Sequence, residues 1–580
     1  MNMADRRQKL ELTWIGKDDR PRLEPRILLE DPALSHHAPK RVSQSDMFDN
    51  MLIHGDNLLA LKALEATLAE RVKCIYIDPP YNTGSAFAHY DDGLEHSTWL
   101  SLMRDRLECL ERLLAPTGSI WVNIDWQEGH YLKVLCDEVF GRSHFIAEIV
   151  WQKRTSRENR AAIGSSHDTI LVYAKVPPND WKRHRNLLRA STKEAANPDN
   201  DPRGPWDSVP FSAQGWRPNQ MYSITTPTGV VHKPPKGRCW GATEDVYKEH
   251  LAEGRVYFPK NGSGRPRIKQ FESERKGLVP MSLWSADEVG TTEESKKEIM
   301  SLFADETPFS TPKPERLIRR ILEIASSEGD LVLDSFLGSG TTAAVAHKLK
   351  RRWIGVELGD HAETHCRMRL VKVVDGADDG GITKSSGWTG GGGFRFYRLA
   401  PSLLEKDNWG NWVVSKSYNA AMLAEAMCKL EGFRYEPDPE TFWLHGRSTE
   451  SDFLYVTTQN LSRAQLQFIS EQVGSNRTLL ICCGAFRAKR DDFPNLTLKK
   501  IPQAVLHRCE WGRDDYSLNV QALPPAEAGD EPGADGDAAE SSAQAPTATG
   551  KPAKRPSKKP ARGMQQLPLF DGAKKEKGKR

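Results

Sequence analysis

Nowhere in its 580 residues does the chain carry eighteen consecutive apolar residues, so no membrane-crossing helix is expected. Its first stretch, 1–11, is charged and lacks the apolar core of a secretory leader. Cysteine is sparse: nine are scattered with no Cys-x-x-Cys pair, and the one adjacent pair, Cys482 and Cys483, lies in an apolar run. These read as reduced thiols of a cytoplasmic protein, neither disulfides nor metal ligands. An excess of one charge is missing too. Lys and Arg number 81 against 78 Asp and Glu, so any affinity for nucleic acid must show in how charge is distributed. The length implies roughly two to four domains.

What is present centres on Val72-Lys73-Cys74-Ile75-Tyr76-Ile77-Asp78-Pro79-Pro80-Tyr81. The β-branched and aromatic run predicts a buried strand. Two prolines after it forbid helix or ladder hydrogen bonds and hold an extended turn. The turn offers a carboxylate, a carbonyl and a ring at a strand's C-terminal edge, where open α/β sheets bind ligands. Met51 to His54, then Gly55-Asp56-Asn57 and leucines at helical spacing, complete a strand–helix–strand unit before it. Asp56 is either a helix cap or a ligand contact. A second Gly-rich turn comes later. Leu331 to Asp334 predicts a strand, Ser335-Phe336-Leu337-Gly338-Ser339-Gly340-Thr341 a turn and helix start, and Trp353 to Val356 a strand ending in Glu357. The P-loop lysine is absent, and so is the third glycine of the dinucleotide fingerprint. Strand, Gly-x-Gly, helix, strand and acid together predict a site for an adenosine-containing ligand, with Glu357 on its ribose.

Between the two motifs, residues 176–305 lose periodicity. Basic residues interleave with aromatics around Arg217, Lys236, Arg238 and Trp240, which is the pattern of a nucleic-acid surface. The spacing of His361 and His365 lacks the His-Glu-x-x-His arrangement and predicts a plain helix face. The stretch 523–580 is low in complexity, acidic and then basic, and is expected to be disordered.

The Asp78-Pro79-Pro80-Tyr81 and Asp334 to Thr341 motifs, with Thr311-Pro312-Lys313-Pro314 before the second, resemble the amino-methylating DNA methyltransferases. The catalytic motif precedes the donor motif, the order of the permuted β-class. Within it, Gly55-Asp56-Asn57, Asp78 to Gly84 and Pro234 to Trp240 look most like the modification subunit of type III restriction–modification systems. Leu337 departs from that family's small residue. The resemblance implies a doubly wound, mostly parallel seven-stranded sheet, circularly permuted, using S-adenosylmethionine and no metal. It implies catalysis by Asp78, Pro79, Pro80 and Tyr81, and donor binding by Asp56, Lys313, Pro314, Asp334, Phe336, Gly338, Gly340, Thr341 and Glu357. Arg217, Lys236, Arg238 and Trp240 would contact duplex DNA. The reaction implied is site-specific methylation of adenine N6 on a flipped base. Asp78, where cytosine-N4 enzymes carry Ser, favours adenine, and no Pro-Cys dipeptide serves C5 chemistry. Implied partners are a second copy of the chain and a restriction subunit, in a bacterial cytoplasm at the nucleoid. Gln566-Leu567-Pro568-Leu569-Phe570 resembles the peptide that docks bacterial proteins on the replicative sliding clamp. The expected divisions are an arm (1–45), a catalytic half (46–175), a target-recognition domain (176–305), a donor half (306–374), a Gly-rich linker (375–393), a small α/β domain (394–522) and the tail (523–580). A solitary methyltransferase and a catalytically silent DNA-binding subunit are the alternatives.

Overall fold

A computed structural model describes residues 11–80, 92–157, 162–188, 197–274, 277–303, 311–489 and 492–517. Tyr81 and the Gln566–Phe570 peptide lie outside these residues. Eleven strands build one sheet: β1 (Leu28–Glu30), β2 (His36–His37), β3 (Asn50–His54), β4 (Val72–Ile77), β5 (Leu114–Ile124), β6 (Phe145–Gln152), β7 (His167–Ala174), β8 (Leu283–Trp284), β9 (Leu331–Asp334), β10 (Arg352–Glu357) and β11 (Gly393–Leu399). Its order is β1-β11-β3-β10-β9-β4-β5-β7-β6-β8, with β2 paired to β11. From β11 to β5 every neighbour is parallel, and β7 is antiparallel to both β5 and β6.

The parallel strands are buried runs with no alternation, Ile75 and Ile77 on one face, Cys74 and Tyr76 on the other. That requires cover on both sides. Helices α1 (Asn57–Leu68), α2 (Asp92–Leu113) and α3 (Trp126–Cys136) cover one face. Helices α4 (Glu315–Ala325), α5 (Thr341–Lys348) and α6 (Met368–Val374) cover the other. Leu317, Ile318, Ile321, Leu322 and Ile324 make the buried stripe of α4. The doubly wound reading of the sequence holds.

The seven expected strands are present as β3-β10-β9-β4-β5-β7-β6, and four more extend the sheet. The expected boundaries cut across this assembly. Strands β1 and β2 come from the arm, β8 from the end of the 176–305 stretch, and β11 from beyond the glycines. They pair the backbone groups that a seven-stranded sheet would leave open at its edges. The Gly-rich stretch is not a loose linker. A Cβ on Gly390 would meet the Gly376 nitrogen at 3.0 Å. Within this stretch Asp378 is buried and ion-pairs with Lys348 at 2.8 Å. There the glycines allow backbones to touch.

The insertion proper carries short ribbons, including Ser212–Gln214 paired with Arg238–Trp240. Beyond β11 a five-stranded sheet runs in the order Arg434–Tyr435, Gly446–Arg447, Asp452–Val456, Thr478–Cys483, Leu496–Lys500. The arm joins it: Ile27 lies in its core, and Arg26 donates to the Ala400 carbonyl at 2.7 Å.

Candidate active site

Strands β9 and β10 come from the second half of the chain yet sit between β3 and β4 of the first. Leu333 of β9 lies opposite Ile75 of β4. The two motifs, some 250 residues apart in sequence, therefore open at one edge of the sheet, the carboxyl edge, where loops form ligand sites.

At the first motif, Asp78 leaves β4 with its carboxylate partly exposed, and Pro79 is buried. Its Oδ1 accepts from Asn123 Nδ2 on β5 at 3.1 Å. Its Oδ2 pairs with the Lys313 ammonium. The Pro80 carbonyl accepts from the indole N–H of buried Trp99 at 2.8 Å, which pins the turn to α2.

At the second, Gly338 and Gly340 take φ values of +58° and +79°, which other residues resist. A Cβ on Gly340 would also press on the Cys366 backbone at 3.3 Å. The Gly338 amide donates to Glu357 Oε2 at 2.7 Å, and the Gly359 amide to Oε1 at 3.1 Å. His361 Nε2 meets Oε1 at 2.9 Å. Burial works to push the Glu357 carboxyl up, but His361 and the two amides hold it below its usual value. The hydrogen bond to Glu357 raises His361 in turn. Leu337, the departure from the family pattern, is buried against Gly355, where a Cβ would meet it at 2.6 Å.

One cavity of about 330 Å³ joins the motifs, with Asp78 and Pro80 at one part and Phe336, Gly338, Glu357 and His361 at another. Asp56 and Asn57 also line it. The size suits a small ligand, and the Gly turn with an ionised carboxylate suits the hydroxyls of a nucleoside.

Several expected residues do other work. Asp56 is 1% exposed. Its Oδ1 caps α1 through the Leu58 and Leu59 amides at 2.9 and 3.1 Å, and its Oδ2 takes the Tyr516 amide at 2.9 Å. Asp334 is buried behind the cavity and braces the Phe336 amide at 2.9 Å. Thr341 spends its hydroxyl on Ser339 and Arg369. Pro314 is buried at the start of α4. Lys313, expected on the donor, reaches Asp78. In the insertion, Arg217 and Lys236 are exposed. Arg238 folds back on Ser212, with Nη2 to the carbonyl at 2.9 Å. Trp240 is not a surface residue: it stacks on Phe211 at 6.0 Å, and its N–H donates to the Tyr222 carbonyl at 2.8 Å. An aromatic among basic residues was core because its flat bulk is what a small, sheet-poor module has to bury.

Sequence reasoning missed Asn123, Trp99, His361 and Arg106. Arg106 is buried, donates to the Tyr516 carbonyl at 3.1 Å, pairs with Asp56 at 3.4 Å and reaches Asn57. A signal existed: Arg106 falls on the stripe Trp99, Met103, Leu110, Leu113, where an arginine is out of place unless paired.

A pH dependence follows from Asp334. Burial pushes its carboxyl from the usual 3.8 up to about 7, against hydrogen bonds from Thr342 and the Phe336 amide and with the Asp78 and Glu357 charges adding to the rise. The folded state therefore holds a proton that the unfolded chain releases. This stability is complete below the unfolded value and is lost as pH rises through the folded one. Denaturant titrations between about pH 5 and about pH 8 should show falling stability, and Asp334→Asn should flatten the fall. An unchanged slope would refute the assignment.

The profile of the DNA methylase family matches residues 72–365. The Mod subunit of the type III restriction–modification enzyme StyLTI of Salmonella typhimurium is 32% identical over 369 residues, 57% of this chain and 55% of that one. The probable HindVI Mod subunit of Haemophilus influenzae is 31% identical over 421 residues, 62% of this chain and 55% of that one. The type II methyltransferase M.KpnI of Klebsiella pneumoniae is 30% identical over 340 residues, 53% of this chain and 78% of that one. This chain thus spans about half the length of the two Mod subunits.

Proposed function

The chain belongs to the DNA methylase family, and on that premise we propose that it transfers a methyl group from S-adenosylmethionine to N6 of an adenine in a specific duplex DNA sequence. The observation that carries this reading is the single cavity bounded by Asp78 and Pro80 on one side and by the Gly338 turn and Glu357 on the other. A nucleoside held by Glu357 and Gly338 would direct its far end toward Asp78.

S-adenosylmethionine, when bound, supplies a sulfonium methyl group already activated for transfer. The chain's task is to make the acceptor nitrogen available. An adenine amine is a weak nucleophile because its lone pair is delocalised into the ring. Asp78 accepts one of its hydrogens and the turn carbonyl of Pro79 the other, which concentrates electron density on nitrogen. The N–C bond forms as the C–S bond breaks, with the bonding pair left on sulfur. The surplus amine proton then leaves through Asp78 to water. The base must be extruded first, at a cost of about a few kcal/mol.

The type III relatives, named as Mod subunits of restriction–modification enzymes, support a modification subunit with a restriction subunit as partner; that it sets specificity and works as a homodimer rests on the family resemblance alone. The match to a type II methyltransferase supports a second reading, an enzyme acting without that partner. Docking of the tail on a sliding clamp is supported by the Gln566–Phe570 sequence alone.

Purified chain, labelled donor and DNA from an unrelated bacterium test the reaction. Label is expected in N6-methyldeoxyadenosine after digestion. Label in N4-methyldeoxycytidine overturns the choice of base, and none in any DNA overturns the enzyme. For the insertion, Arg217→Ala and Lys236→Ala should each reduce the slope of log affinity against log salt by about one. Slopes that do not change would remove these residues from the DNA surface.

A further inference from the structure

Lys313 sits against the carboxylate of Asp78. It is 8% exposed, lies outside the set of residues lining the cavity, and ion-pairs with Oδ2 of Asp78. Asn123 holds the other oxygen at 3.1 Å. Two donors from two separate elements, β5 and the segment entering α4, thus grip one carboxylate at its two oxygens.

Resting on the methyl-transfer reading, we propose that Lys313 is a positioning residue for that reaction: with Asn123 it sets the plane of the Asp78 carboxylate so that the carboxylate faces the amine of the extruded base. The terminal torsion of an Asp side chain is soft and roughly two-fold. Without the two donors the carboxylate would sample planes that miss the amine.

The mounting of Lys313 is rigid. Prolines on both sides, Pro312 and Pro314, fix the local φ angles. The Pro312 carbonyl accepts from Ser295 Oγ at 2.7 Å, and Pro314 leads into α4. There Glu315 is tied to Lys348 and Arg369 at 2.8 Å each. Arg369 also bonds Thr341 Oγ1 at 2.8 Å, at the donor turn. The Thr-Pro-Lys-Pro stretch therefore links the donor turn to the catalytic carboxylate. The lysine's role is to aim that carboxylate.

The test is Lys313→Met beside Lys313→Arg, with Asn123→Ala as an independent variant. Donor affinity is measured by calorimetry with S-adenosylmethionine alone, and turnover with methylatable DNA. Lys313→Met is expected to lower kcat by about a hundredfold, the scale of a misplaced reacting group, with donor affinity unchanged. Lys313→Arg should recover most of the rate, and Asn123→Ala should lower kcat in the same way. Weakened donor binding at unchanged kcat would return Lys313 to the donor site and overturn the proposal. Undiminished kcat in both Lys313→Met and Asn123→Ala would overturn it as well. Wild-type turnover separates the two readings: an inactive wild-type chain defeats the methyl-transfer reading, whereas an active one with an equally active Lys313→Met variant defeats only this inference.

Discussion

Asp78→Ala is expected to lower the rate of methyl transfer by about a thousandfold while donor and DNA still bind. Asp78 lines the cavity beside Pro80 and presents a carboxylate that can accept from the target amine. A pre-aimed polar group at a reacting centre contributes about a hundred- to a thousandfold. Single-turnover kinetics with labelled donor and calorimetry with unlabelled donor check this. Removal of Asp78 takes a partner from the buried Lys313 ammonium and from Asn123, so urea unfolding of the variant accompanies the kinetics. A fall in donor affinity large enough to explain the lost rate would sink the role given to Asp78.

Glu315→Ala should produce the largest loss of stability, about 3–5 kcal/mol, the cost of leaving a buried charge without its partner. Glu315 is 1% exposed, as are or nearly are its partners Lys348 and Arg369. Its carboxylate accepts from both cations at 2.8 Å and from the Ile382 amide at 2.9 Å. Removing it takes a carboxylate from two buried cations under α4 and frees the segment that carries Lys313. Asp378 can still meet Lys348, but Arg369 has no other carboxylate among its bonded partners in the described residues. Urea unfolding is the measurement, with Glu315→Gln as the milder comparison. A loss below about 1 kcal/mol, the scale of an exposed pair, would show that the cluster relaxes around the gap.

Much of the site was readable because its chemistry is local. Ile-Asp-Pro-Pro forces a strand to end in a rigid turn bearing a carboxylate. Gly338 and Gly340 mark positive φ angles, and Glu357 follows a strand of the right length. Local pattern also located β9 closely, since it is a single buried run. It misread Trp240, because a tryptophan among basic residues looks the same whether it faces DNA or packs on Phe211. The glycines of 375–393 misled in a similar way. Composition reports freedom, while the fold uses those positions for close backbone contact.

Sequence alone determined β3, β4, β9 and β10, the two turns and the residues that carry charge into them, since these follow from spacing within a dozen residues. Tertiary structure decided the rest. It slotted β9 and β10 between β3 and β4, and so brought the Gly338 turn beside Asp78. It aimed Lys313 and Asn123 at one carboxylate, buried Arg106 against Asp56, and used the arm and the stretch after the glycines to close the sheet. Parallel strands can pair through long crossovers of very different length, and a side chain's partner depends on which strand lies next to its own. Neighbours in the chain carry no record of that choice.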